Sequence, residues 1–359
     1  VLAGGARAGV DLFQSLLDNH NQILQFPGVI HINDDLKEIL SYSSKHKVAQ
    51  LFIKKYPSFF DSRKKGIERH YMLGPKKNKF YKVDKKNFIN KFVNFSKDKI
   101  LYKDKLFQNL YLLHKAYDLN LNKKKIIIIN AHIIPYVENF EKLFKDTNYD
   151  IIHTIRHPLS SLSSTVKNWI KYKNGIHLNP KSLYYNLEVI FFGIQKLQKI
   201  KKKLYVIQLE KLHIKNKLVM KNFCKIYNLK ILPSLSESTY HKLKWWGDSI
   251  SGRDLDGINK NFKTSYDIQL FKKKDLYFFN NLMKNQLKKY GYKIQGYSKF
   301  LYNFMPLKCE LITWKNTIKN KNIKYIFSIP YYYLKRVYFF NQIFIKKKKL
   351  PKSLFTKKN

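Results

Sequence analysis

Short apolar runs alternate along this chain with longer stretches whose apolar residues recur at helical spacing. The first run, Val1-Leu2-Ala3, passes through glycines into a stretch with apolar residues at 12, 13, 16 and 17, which predicts a strand, a tight loop and a helix. Three later runs predict buried strands, over 126–129, 150–155 and 203–209. Helical patterns accompany them, over about 136–145, 159–169, 181–201 and 214–228. This alternation predicts the α/β class, with a parallel sheet flanked by helices.

A long segment, 33–120, separates the first helix from the second predicted strand, and its apolar residues fall at helical spacings. It carries no catalytic signature. We interpret it as a helical insertion that caps an acceptor pocket, and helices that merely pack on the domain are the alternative. The whole domain is predicted to span 1–292, followed by a basic, aromatic C-terminal extension over 293–359.

The glycine loop after the first strand has the character of an anion site. Glycines allow close approach of the backbone, and the following helix presents N–H groups at its positive end. The segment fits G-x-x-x-x-G at Gly4 and Gly9, but Val10 and Asp11 stand where a nucleotide triphosphatase needs Lys and then Ser or Thr. Arg7 supplies the cation instead. An ordinary strand-to-helix turn is the alternative.

Three chemically active side chains follow the ends of predicted strands: Arg7, His132 and Arg156. In parallel α/β sheets, ligands bind beyond the carboxyl ends of the strands. We therefore expect these three residues to meet at one edge of the sheet.

The formal net charge of +46 points to a polyanionic partner, such as an acidic glycan or an anionic membrane. The alternative is a bias towards A/T-rich codons, because Lys, Asn, Ile, Phe and Tyr are all abundant. No nucleic acid partner is expected. Cys224 and Cys309 cannot form a zinc site by themselves, and we expect both thiols to be buried or inert.

In these features the chain resembles the sulfotransferases that use 3′-phosphoadenosine-5′-phosphosulfate (PAPS). The family's phosphosulfate loop is commonly Pro-Arg/Lys-Ser-Gly-Thr-Thr, and this chain has Ala6-Arg7-Ala8-Gly9-Val10-Asp11. The family places a 3′-phosphate-binding Arg at a strand end and a Ser eight positions later, which match Arg156 and Ser164. A salt bridge and cap at the start of a helix is the alternative for this pair. His132 stands where the cytosolic branch has its base. The resemblance covers roughly 1–292, where Lys289-Tyr290-Gly291-Tyr292 resembles the common end of the domain.

The chain departs from the family at several positions. Ala8, Val10 and Asp11 replace hydroxyls around the phosphosulfate, and Asn130 replaces a lysine two residues before the base. The tyrosine often found beside Glu210 is here a leucine. A carboxylate repels sulfate, so we expect Asp11 to pair with Arg7 or another cation, or to cap the helix facing away.

The resemblance implies transfer of a sulfuryl group from PAPS to a hydroxyl or amine of a glycan, lipid or small metabolite, with PAP (adenosine 3′,5′-bisphosphate) as the second product and no metal. His132 would be the base and Arg7 would stabilise the leaving phosphate; a histidine that caps a strand is the alternative for His132. The donor would be bound by Arg156, Ser164, Arg253 in a late glycine loop, and the loop residues Gly5, Ala6, Arg7, Ala8, Gly9, Val10 and Asp11. Trp245 and Trp246 in that late loop are interpreted as core, and stacking on adenine or a sugar is the alternative.

Two other functions compete with this interpretation. A P-loop-like kinase or nucleotide triphosphatase is disfavoured by the missing Lys-Ser/Thr pair. A non-catalytic polyanion-binding protein with a degenerate sulfotransferase fold stays open because of Ala8, Val10 and Asp11.

The tail is apolar and aromatic over 325–345 and is followed by Lys346-Lys347-Lys348-Lys349. Lys335 and Arg336 argue against a spanning helix. Aromatics beside lysines suit peripheral contact of 325–359 with an anionic membrane; a helical extension packed on the domain is the alternative. We expect a cytoplasmic protein, with or without such membrane contact, whose natural start lies upstream of Val1.

Overall fold

The computed structural model describes residues 1–64, 68–97, 102–118, 123–250, 254–293 and 300–345. Its centre is a parallel sheet. The strands, in chain order, are β1 (Leu2–Gly4), β2 (Ile23–Gln25), β3 (Ile126–Ile128), β4 (Asn130–His132), β5 (Ile151–Ile155), β6 (Leu204–Gln208), β7 (Thr239–Tyr240) and β8 (Leu243–Lys244).

Four parallel strands form the main sheet in the order β4-β1-β5-β6. β2 and β3 form a second parallel pair. Only Ile129 separates β3 from β4, and its carbonyl accepts a 2.8 Å hydrogen bond from the Leu2 amide, so the pair continues the edge of the main sheet. β7 and β8 form an antiparallel hairpin.

Helices surround the sheet, which confirms the predicted α/β class. They are α1 (Val10–Leu17), α2 (Asp34–Ser41), α3 (Lys45–Lys55), α4 (Pro57–Phe60), α5 (Lys85–Phe95), α6 (Lys105–Tyr117), α7 (Ile134–Leu143), α8 (Pro158–Lys171), α9 (Pro180–Gln198), α10 (Leu209–Ile214), α11 (Asn216–Ile226), α12 (Lys273–Leu282), α13 (Lys284–Lys289), α14 (Lys308–Lys319), α15 (Ile323–Ile326) and α16 (Ile329–Ile345). The segment interpreted as a helical insertion contains α2 to α6.

Successive strand residues face opposite layers, as the twofold repeat of a strand requires. Ala3 and Ile151 face a core built with α7 and the helices of the insertion. Leu2 and Ile152 face a second core built with α1 and α11. Because both faces are covered, the functional groups are confined to the edges and loops.

The C-terminal helices pack against α8, α9 and α12. Phe340 of α16 lies against Phe191 of α9 and Phe279 of α12. Both cysteines are buried, as predicted.

Candidate active site

The residues singled out in the sequence lie along the carboxyl edge of the sheet, one strand end after another. His132 ends β4, the Arg7 loop follows β1, Arg156 follows β5, and Glu210 follows β6. Gly4 and Thr154 are register partners, so the loops that carry the two arginines leave the sheet side by side. The Ser161 hydroxyl of α8 donates to the Ala6 carbonyl and ties these loops together.

The glycine loop is held by its own backbone. The Gly5 amide donates to the Thr154 carbonyl at 2.8 Å, and the Ala8 amide donates to the Gly5 carbonyl at 3.1 Å. Arg7 and Gly9 both have positive φ, 54° and 80°. Gly9 precedes α1 and offers no side chain to cap its first turn. The positive end of the α1 dipole therefore suits an anion.

His132 and Asp11 form a pair at the start of α1. The Nδ1 atom of His132 lies 3.1 Å from the Asp11 Oδ1 atom. The Asn130 amide donates to the same oxygen at 3.3 Å, and its carbonyl oxygen accepts from the His132 backbone N–H at 2.9 Å. The His132 side chain is 39% exposed, so the ring is fixed on one side and accessible on the other. Asp11 thus pairs with His132, which is a cation when protonated, and does not cap the helix.

Charge explains the ionisation of the pair. Burial alone lowers the pKa of His132, but the charge and hydrogen bond of Asp11, with the charges of Glu68 and Asp248, outweigh burial and raise that pKa above its ordinary value. Burial alone raises the pKa of Asp11, yet His132, Asn130 and Arg7 together hold that pKa below its usual range. Asp11 is therefore a carboxylate at neutral pH.

Arg7 lies in an ion pair that the sequence did not predict. Its Nη1 atom is 3.0 Å from the Asp248 Oδ2 atom, and both side chains are mostly buried. Asp248 belongs to the late glycine loop singled out in the sequence. That loop was the one feature of the sequence that could have pointed to Asp248. The loop's candidate, Arg253, lies outside the described residues.

A third carboxylate comes from the segment interpreted as an insertion. Burial, followed by the charge of Asp11, raises the pKa of Glu68. Nothing in the sequence pattern marks Glu68. Three carboxylates, those of Asp11, Glu68 and Asp248, therefore make this part of the site less positive than the sequence predicted.

Arg156 occupies the next strand end. Its guanidinium carbon lies 5.9 Å from the centre of the Phe262 ring, and the His213 ring stacks on the same phenylalanine at 4.5 Å. Burial, with the positive charge of Arg156 adding to it, lowers the pKa of both His157 and His213 to about 4. Arg156 is therefore surrounded by neutral imidazoles. Ser164 lies on α8, half-buried, and accepts a 3.3 Å hydrogen bond from Asn168.

Three buried polar atoms around these loops have no hydrogen-bond partner among the described residues. They are Thr154 Oγ1, Ser160 Oγ and His157 Nδ1. Buried polar groups are normally paired, so orphans next to the glycine loop and the first turn of α8 fit a ligand rich in acceptor oxygens. The residues present here fit a bound phosphate or sulfate.

A pocket of about 1010 Å³ opens beside α10 and α11. His213 forms part of its wall and connects it to Arg156 through Phe262. Its lining carries six lysines and two acidic residues: Lys79, Lys215, Lys217, Lys242, Lys244, Lys260, Glu237 and Asp256. Trp245 also lines the pocket and is buried, as predicted for a core tryptophan. The pocket is large enough and basic enough for an anionic ligand.

No protein-family profile and no curated protein matches this chain. Among solved structures, the chain is similar to the sulfotransferase domain from the curacin biosynthetic pathway, with a TM-score of 0.43 and 14% identity over 82% of this chain and 98% of that one. It is also similar to the sulfotransferase domain from the Synechococcus PCC 7002 olefin synthase, with a TM-score of 0.41 and 13% identity over 82% of this chain and 94% of that one. These are likenesses of fold, so we base the functional proposal on the residues of the chain itself.

Proposed function

We propose that the protein is a PAPS-dependent sulfotransferase that moves a sulfuryl group to a hydroxyl or amine of a glycan, lipid or small metabolite. One observation carries the proposal: two arginines and a histidine paired with a carboxylate lie along consecutive strand ends of one parallel sheet. A donor with separate 5′-phosphosulfate and 3′-phosphate groups needs two cationic sites, and Arg7 and Arg156 supply them.

In the proposed reaction, His132 accepts the proton of the acceptor group through Nε2, because Nδ1 is held by Asp11. A bond forms between the acceptor oxygen or nitrogen and sulfur, and the bond from sulfur to the 5′-phosphate oxygen breaks. Arg7 and the start of α1 stabilise the charge that grows on the leaving phosphate. Arg7 must exchange Asp248 for the donor, since the two are paired in this structure.

The 3′-phosphate is assigned to Arg156 and Ser164, with the orphan hydroxyl of Ser160 as a further donor. The basic pocket beside α10 and α11 is assigned to an anionic part of donor or acceptor.

The test is binding of PAP by calorimetry to the full chain and to Arg156→Ala, with Arg63→Ala as control. Arg63 is 53% exposed and pairs with Asp61, away from the strand ends. We expect Arg156→Ala to weaken PAP binding roughly a hundredfold, because a charge-assisted contact to phosphate is lost, and the control to bind normally. Failure of the unaltered chain to bind PAP would overturn the donor assignment.

Transfer itself is tested with radiolabelled PAPS and a panel of glycan and lipid acceptors. His132→Ala is expected to abolish transfer and to leave PAP binding intact. Unchanged turnover in this variant would remove His132 as the base.

The carboxylates of Asp11, Glu68 and Asp248 would repel a phosphosulfate at this edge of the sheet. They therefore favour a second candidate, a non-catalytic protein on a sulfotransferase-like scaffold that binds polyanions through its basic surface. This candidate predicts that no acceptor in the panel is sulfated and that PAP does not compete with a bound polyanion.

A further inference from the structure

The outer surface of the C-terminal helices carries a stripe of exposed apolar side chains. Ile323, Phe327, Tyr331, Leu334 and Tyr338 are 67%, 81%, 58%, 63% and 67% exposed. Their spacing of three or four residues places them along one helical face. We call these five residues the apolar stripe.

The helical path is nearly continuous beneath the apolar stripe. The Phe327 amide donates to the Ile323 carbonyl, and the Tyr332 amide donates to the Ser328 carbonyl, which carries the helical pattern from α15 into α16. The opposite face of α16 is packed: Val337, Phe339 and Phe340 are buried in the domain. The helix is therefore apolar on two sides: one side packs on the domain, and the other, which carries the apolar stripe, is exposed.

The charge of this region is strongly one-sided. Between Leu311 and Asn359 the sequence has thirteen Lys and Arg and no Asp or Glu. Lys319, Lys321 and Lys324 are exposed where α14 gives way to α15 and the apolar stripe begins. An apolar stripe beside such a basic region is complementary to a partner surface that has negative charges on the outside and an apolar layer beneath them.

We propose that the apolar stripe docks on the surface of an anionic lipid bilayer, with the lysines on the headgroups. Tyrosine is favoured at the interface between headgroups and acyl chains, and the stripe contains two tyrosines. A second copy of this chain is a poorer occupant, because two acid-free basic surfaces would repel each other. Among the described residues no helix is both long and apolar enough to cross a bilayer, so the contact is peripheral.

The proposal is independent of sulfuryl transfer and is tested by sedimentation of the full chain with vesicles. One set of vesicles is pure phosphatidylcholine, and the other is an equimolar mixture of phosphatidylcholine and phosphatidylserine. We expect binding to the mixed vesicles that weakens as salt rises, because headgroup attraction is screened.

The double variant Phe327→Glu/Leu334→Glu is expected to bind mixed vesicles roughly tenfold more weakly or worse, since apolar insertion is lost and two negative charges face an anionic surface. The control is Ile231→Glu/Ile268→Glu, which makes the same charge change at apolar residues that are 61% and 65% exposed elsewhere. Light scattering and far-ultraviolet circular dichroism check the oligomeric state and the fold.

Three results would overturn the proposal. In the first, the unaltered chain does not sediment with mixed vesicles at low salt. In the second, the control variant loses as much binding as the stripe variant. In the third, the stripe variant binds vesicles normally, and it is a monomer where the unaltered chain is a dimer. The last result would instead assign the stripe to a second copy of the chain.

Discussion

At the scale of single residues, the position of Asp11 changes the chemistry available to His132. A carboxylate at the start of α1 would repel a bound sulfate if it stood alone. Here it is neutralised by contact with His132 at 3.1 Å and by the Asn130 amide. The same contact orients the ring and raises the pKa of the imidazole, so in the proposed reaction Asp11 is a positioning residue.

Asp11→Asn is expected to lower the pKa of His132, because the charge that raises it is removed. A base must be neutral to act, so in the proposed reaction transfer should rise with pH through the pKa of His132, which is raised above its ordinary value in the unaltered protein. In Asp11→Asn the acidic limb of the kcat/KM profile should move to lower pH, and the plateau should fall roughly tenfold or more as the ring loses its partner.

The measurement is a pH profile of kcat/KM for both proteins, with PAP affinity as a check on the fold of the site. A purely structural role for Asp11 would lower the plateau and leave the acidic limb in place, and that result would contradict the assignment.

The placement of His132 and Arg156 at strand ends could be predicted from the sequence, because a β-branched run followed by a polar residue marks where a buried strand stops. Their partners could not. Asp248 lies 241 positions from Arg7, and no local pattern reports an ion pair formed by folding. Glu68 carries no signal of any kind in a single sequence.

At the scale of elements, the glycine loop and α1 depend on one close contact. Gly9 has a φ of 80°, and a Cβ atom there would overlap the side chain of Leu209, the first residue of α10. Leu209 therefore packs directly on the loop that carries Arg7.

Gly9→Ala should destabilise the protein by about 2–4 kcal/mol, combining the cost of a left-handed residue with a side chain with that of overpacking. Gly291→Ala is a matched control, because Gly291 has a φ of 69° and a Cβ added there would meet nothing within 4 Å. It should cost only about 1 kcal/mol. Urea unfolding measures both, and equal losses would show that the contact with Leu209 does not matter.

Periodicity predicted the main strands and the helices that flank them, since apolar spacing reports local burial directly. It did not predict that 126–132 divides into β3 and β4, which pair with different neighbours. The predicted strands also did not include β2, which pairs with β3. Both features depend on which strands pair with each other, and strand pairing is determined by contacts between residues that are distant in the sequence.

At the scale of the whole molecule, the C-terminal extension belongs to the domain physically. Adjacent residues of α16 have opposite roles: the Lys335 ammonium lies over the Tyr184 ring at 4.9 Å, while Arg336 is fully buried. The sequence used both charges as an argument against a spanning helix. The structure adds that Arg336 ties α16 to other parts of the extension, through Glu310 of α14 and the backbone of Asn303.

The buried ion pair of Arg336 and Glu310 predicts how α14 and α16 stabilise each other. Glu310→Ala leaves the Arg336 guanidinium buried beside fewer partners and should cost about 3–5 kcal/mol. The double variant Glu310→Gln/Arg336→Met removes both charges and should recover much of that loss, because apolar replacements of a buried pair are often nearly neutral. Urea unfolding followed by circular dichroism measures both free energies. If the double variant is as unstable as Glu310→Ala, the cost lies in packing, and the ion pair does not hold α16 against α14.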